Sequence, residues 1–176
     1  MNKISAPATA IAATILFGLA GIAFAAQDRY TLKVPDGLSF AEFKGYETWQ
    51  PVASSEVKDG IKVISANAVM MAAYRSGLPA EGKLFPEGSK IVKIEWSRQE
   101  KTQPYPVTIP DKLMSVSFIE KDSKRFPKTH GWAYAQFLYD PATKTFKPNG
   151  TGSECGFECH TAVSDVDYIF TAYPPR

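Results

Sequence analysis

The sequence predicts an α+β fold, a mostly antiparallel β-sheet with a few short helices in a single domain, and three observations lead there. Residues 61–65, 90–97, 112–119 and 131–139 alternate apolar with polar side chains, as strands do. The helical signals are short and lie before, between and after those strands. No internal repeat or low-complexity tract interrupts them, and residues 26–176 are enough chain for one core.

Residues 1–25 are read as a leader rather than as part of the fold. Lys3 is their only charge, an apolar run covers residues 10–24, and Ala23-Phe24-Ala25 fits the small-residue cleavage rule. The run is shorter than the ~20 residues of a spanning helix, so a signal peptide cleaved after Ala25, with no membrane association afterwards, is expected. The periplasm is the expected compartment. The formal charge of +2 falls by one when Lys3 leaves. A near-neutral balance provides no electrostatic footprint for nucleic acid or an anionic membrane surface.

In chain order, residues 27–35 read as a short extended segment, turned by Asp36-Gly37. Ser39-Phe40-Ala41-Glu42 has the form of a capping box opening a short helix, with Phe40 and Phe43 on its apolar side and Gly45 at its end. Residues 49–52 lead away extended. Asn67 is placed to cap a helix over residues 68–76, with Val69, Met70, Ala73 and Tyr74 on one face and Gly77 as the stop. Residues 79–88 form a loop closed by Phe85-Pro86-Glu87-Gly88.

In the strand that follows, Val92, Ile94 and Trp96 fall on one face and Ile91, Lys93 and Glu95 on the other. A lysine so placed ordinarily faces solvent. Pro104, Pro106 and Pro110 make residues 99–110 a connector. Met114, Val116 and Phe118 share one face of the next strand. Residues 120–128, with Lys121, Asp122, Lys124 and Arg125, read as a solvated charged turn. The strand over 131–139 is the most aromatic, and Asp140-Pro141-Ala142-Thr143 turns it into a short partner over 145–147. Residues 148–153 form a polar loop, 161–167 a helical or turn-like segment, and Tyr168-Ile169-Phe170 packs the end down.

The chemistry concentrates in Ser153-Glu154-Cys155-Gly156-Phe157-Glu158-Cys159-His160, which holds both cysteines and one of the two histidines. Paired cysteines followed by histidine are the arrangement that carries haem c: the thiols bond the vinyl groups and the imidazole reaches the iron. The usual spacing is C-x-x-C-H, and here it is C-x-x-x-C-H; on a helix both spacings put the two side chains on one face. Haem explains the export signal, the thiols and the imidazole together. A Cys155–Cys159 disulfide, formed in an oxidising compartment, leaves His160 incidental. Zinc needs about four ligands, and only His130 and carboxylates remain to complete the set. Met70 and Met71 are candidates for a second axial ligand but at helical spacing read as core. The 11 Phe, 8 Tyr and 3 Trp suit a haem pocket and an ordinary β core alike.

Several stretches together resemble the cytochrome P-460 family, which includes the hydroxylamine-oxidising cytochrome P-460 and the gas-binding cytochromes c′-beta. They are Glu154-Cys155 through Cys159-His160-Thr161, then Asp167-Tyr168-Ile169-Phe170-Thr171 and Tyr173-Pro174. Upstream, Lys121 to Phe126 with Gly131-Trp132-Ala133-Tyr134, Phe85-Pro86-Glu87-Gly88 leading to Val92-Lys93, and Tyr46 to Val52 are similar as well. The resemblance implies one covalently attached haem c, held by Cys155 and Cys159 with His160 as proximal axial ligand, in a chain that is often a homodimer. Lys93 matches the lysine that cytochrome P-460 joins to its porphyrin. Glu95, on the same strand face, is a candidate distal acid or an ion-pair partner. The implied activity is redox chemistry on a small nitrogen species, hydroxylamine, with electrons passed to another periplasmic cytochrome. Capture of nitric oxide or carbon monoxide without turnover is the alternative, and a secreted non-haem module with a Cys155–Cys159 disulfide is the third.

Overall fold

Alternation along the strands divides the apolar side chains between two faces, and the chain covers both. In a computed structural model describing residues 26–150 and 154–175 (the side chains of 154 and 155 excepted), six strands make one antiparallel sheet. They are β1 (Gln50–Val57), β2 (Gly60–Ala66), β3 (Lys90–Lys101), β4 (Val107–Lys121), β5 (Trp132–Asp140) and β6 (Thr145–Asn149), and sheet order follows chain order. With two helices, α1 (Ala68–Arg75) and α2 (Glu154–His160), and short 3-10 turns, this is the expected α+β domain. The leader at 1–25 lies outside the described residues.

One face is closed by the N-terminal segment. Leu38, Phe40, Phe43 and Tyr46 pack on Val92, Val116, Phe118 and Phe137, with Phe43 stacked on Phe118 at a centroid distance of 4.1 Å. Ser39 opens the 3-10 turn Phe40–Phe43 as the capping box predicts, its N–H and hydroxyl both donating to Glu42 Oε1 at 2.8 and 3.0 Å. Burial raises the Glu42 pKa, but hydrogen bonds from Arg125 and Ser39 outweigh it and hold the carboxyl down to about 2. A carboxylate depressed in the folded state stabilises above its unfolded pKa, and that stability is lost as pH falls toward the folded value. Glu42→Gln is therefore expected to cost on the order of 1 kcal/mol at pH 7, after allowance for solvent screening. Urea titrations should show the gap closing between pH 4.5 and 2.

The opposite face carries the second core, where Ile64, Ala66, Ile91, Trp132 and Tyr134 meet α1 and the C-terminal segment. Asn67 caps α1, its side chain accepting from Met70 N–H at 3.0 Å, and Gly77 ends the turn at φ +96°. Met70 and Met71 are both buried, as core residues. The face that α1 buries is Met70, Met71, Ala73 and Tyr74; Val69 is exposed, contrary to its expected place on that face.

Two further expectations are corrected. The 99–110 connector shrinks to 102–106, because β3 and β4 continue past the sheet as a two-stranded ribbon, pairing Arg98 with Pro110 and Lys101 with Val107. Pro110 is tolerated there because β5 pairs only with Ser115 to Lys121, so this part of β4 has one partner. The 120–128 run is not wholly solvated. Lys121 is buried at the end of β4, where Nζ lies 2.8 Å from Asp167 Oδ1. Met114 is exposed, while Val116 and Phe118 are buried.

Candidate functional site

Strand register decides which residues meet on the second face. Ile64, Lys93, Ser117, Gln136 and Asn149 are successive cross-strand partners on β2 to β6, so they form one row across the sheet. Lys93 thus projects from the face opposite Val92 and Ile94, as its strand position predicts. That face is partly covered rather than fully solvated. A cavity of about 560 Å³ lies over it, walled by the row, by Ile91, Ile119 and Tyr134, and by Gly156, Cys159, His160 and Phe170. Its size suits a small molecule or cofactor, for which roughly 300–1,000 Å³ is usual.

Helix α2 closes the cavity because it can lie almost on the sheet. A Cβ placed on Gly156 would sit 2.4 Å from Tyr134 Cβ, so only glycine permits this approach. Phe157 packs beside it against the rings of Tyr168 and His130, with centroids at 5.0 and 5.9 Å. This seat turns the His160 ring between Tyr134 and Phe170, at 4.8 and 4.9 Å.

The His160 Nδ1–H donates to the Tyr168 carbonyl at 2.6 Å. A carbonyl can only accept, so the proton is fixed on Nδ1 and the Nε2 lone pair is left free. Burial lowers the imidazole pKa, the Tyr168 bond opposes this and nearby Lys93 adds to it. The result is a neutral, oriented imidazole, the state that binds metal. Lys93 is likewise pushed down by burial, against the charges of Glu95 and Cys159 and with that of Lys62. Burial thus weakens the hold of its amine on a proton.

Lys93, Cys159 and His160, each singled out in the sequence, are thus brought around one cavity, and Cys159 is exposed. The Cys155 side chain, and with it the Cys155–Cys159 disulfide, lies outside the described residues. Glu95 pairs with Lys62 at 3.7 Å and does not line the cavity, which favours its reading as an ion-pair partner. Among the described residues, which leave out the Cys155 side chain, no three His, Cys, Asp or Glu side chains cluster as a metal site. The row Ser117–Gln136–Asn149 escaped the sequence reading, although each lies in register with Lys93 and period-two alternation holds the signal.

Haem fits these residues. A free imidazole nitrogen, a thiol on the same helix and a largely apolar cavity provide what a porphyrin needs. Ser117 and Tyr134 line the wall, and their hydroxyl oxygens are buried without a hydrogen-bond partner among the described residues. Fold and site together define a β-sheet domain built around a cofactor cavity.

The sequence model described as Cytochrome P460 matches residues 43–171, and the chain belongs to the cytochrome P-460 family of haem proteins. The matched span runs from Phe43 through all six strands to the segment beyond His160. No curated protein is similar enough to match the chain.

Proposed function

We propose that this is a periplasmic haem c protein acting on a small nitrogen species, with hydroxylamine as its reductant. The observation that carries this reading is Lys93, held over the cavity with its pKa lowered and in the company of Cys159 and His160. Haem, when bound, supplies an iron that accepts electrons from the substrate and passes them to another periplasmic cytochrome. The chain's own residues do the rest. Cys155 and Cys159 would tether the group, His160 would offer Nε2 to its iron, and Lys93, if cross-linked to the porphyrin, would alter its electronics. The largely apolar walls limit the approach of bulk water, and Gln136 offers a polar group to a small ligand. The homodimer of the family is part of the same proposal.

A second reading, reversible capture of nitric oxide or carbon monoxide, draws on one observation. Among the described residues no carboxylate lines the cavity, whereas stripping protons from hydroxylamine needs an acceptor.

The test is an absorption spectrum and intact mass of protein exported by a host that matures c-type cytochromes. A covalent haem with a far-red ferrous Soret band, returned to an ordinary c-type position by Lys93→Met, and hydroxylamine-dependent reduction of an artificial acceptor, are expected. A covalent haem without turnover moves the assignment to gas capture. A mass two hydrogens light with no haem leaves only the disulfide module.

A further inference from the structure

The cavity explains what His160 faces but not what holds its ring, and the answer lies on the far side of a sharp corner. The carboxylate of Asp167 is almost wholly buried and gathers donors from three separate parts of the chain. Trp132 Nε1 on β5 donates at 3.1 Å, Lys121 Nζ on β4 at 2.8 and 3.1 Å, and the Phe85 N–H, in the loop before β3, at 2.8 Å. Lys121 also donates to the His130 carbonyl at 3.1 Å.

At this anchor the backbone is unusual. Asp167 and Tyr168 are consecutive left-handed residues, with φ of 54° and 64°, and neither is glycine. Side chains of this size keep that conformation only when the surroundings over-determine it. The corner reverses the chain after the 3-10 turn Thr161–Val166, with Tyr168 N–H donating back to the Val163 carbonyl at 3.0 Å and Ile169 buried. It leaves the Tyr168 carbonyl against His160 Nδ1, the one hydrogen bond of that side chain among the described residues.

We propose that Asp167 is a positioning residue for His160, acting through the Tyr168 carbonyl. This rests on the reading of His160 as the axial ligand. The carboxylate is required because all its partners donate; an asparagine at 167 would turn an N–H₂ toward an ammonium or another N–H. By fixing the corner, Asp167 fixes the carbonyl, and the carbonyl sets the tautomer, orientation and donor strength of the imidazole. Lys121 and Trp132 belong to the same device, although neither touches His160.

The experiment compares the full chain with Asp167→Asn and with Asp167→Asn/Lys121→Met, in which no buried ammonium is left unpaired. The readouts are solvent exchange of the His160 Nδ1 proton by NMR, on the reduced carbonyl form where haem is bound, and the reduction potential. In both variants the proton is expected to exchange about tenfold faster, and the potential to rise as the imidazole becomes a weaker donor. Near-ultraviolet circular dichroism shows whether the core is intact. Folded variants with wild-type exchange and potential overturn the proposal. Should Asp167→Asn fail to fold, the double variant decides, and Trp132→Phe, which removes one donor alone, decides if neither folds. A wild-type chain without haem sinks the haem reading, while exchange of the proton still judges the positioning.

Discussion

Lys121→Met is expected to lower the stability of the fold by about 3–5 kcal/mol, the usual cost of removing one member of a buried ion pair. Lys121 and Asp167 have side-chain exposures of 4% and 1%, so water cannot replace the lost partner. The carboxylate would keep Trp132 and Phe85 as donors but lose the one cation it has among the described residues. The methylene stem of methionine still fills the space beside the Trp132 ring, over which Nζ now lies 4.9 Å from the centroid. Packing is thus largely retained, and the loss isolates the charge. Urea unfolding should show a lower midpoint at unchanged slope. The double variant Lys121→Met/Asp167→Asn should recover part of the loss, since no buried charge is then left unpaired. A Lys121→Met midpoint within experimental scatter of the wild type would contradict this account.

Gly156→Val should be comparably severe, at about 3 kcal/mol, and, on the proposal that Cys155 and Cys159 hold haem covalently, should also abolish its attachment. Two effects oppose each other at this position. Any Cβ improves helix propensity over glycine, by about 1 kcal/mol for alanine and less for valine. Against this, the new Cβ would meet Tyr134 Cβ at 2.4 Å and Cγ at 2.5 Å, atoms fixed by the backbone of β5 and the buried ring. Overpacking costs of about 1–3 kcal/mol or more outweigh the gain. The helix must lift, and Cys159 and His160 move with it. The expected results are a lowered urea midpoint and a chain whose intact mass lacks the haem increment. Full haem loading of Gly156→Val would show that α2 does not need its close seat on the sheet.

Much of this arrangement is legible in the sequence because it follows from local periodicity. Alternation places Lys93 opposite Val92 and Ile94, Asn67 announces the start of α1, and the capping box at Ser39 marks the turn that carries Phe40 and Phe43. Residues whose role depends on a distant partner are not legible in that way. Lys121 sits in a run of charges that includes the exposed Lys124, Arg125 and Lys128, and its partner Asp167 lies 46 positions later. Pro110 reads as a strand breaker unless it is known that β4 has a single neighbour there. Val69 and Met71 exchange expected places because the apolar face of α1 is set by where β2 and the C-terminal segment meet it. Ser117 and Gln136 look like polar positions on a wet face until α2 closes over them.

The ribbon formed by Arg98–Lys101 and Val107–Pro110 bears on how two copies of this chain would meet if they associate. Each of its strands presents one open edge of main-chain groups, a common template for strand addition by a neighbour. Pro110 removes a donor from one edge, and Arg98, Glu100, Lys101, Asp111 and Lys112 place charges along both. A continuous sheet shared between two molecules is thereby disfavoured at this end. Association there would instead bring side-chain surfaces together, leaving the ribbon as a protruding arm.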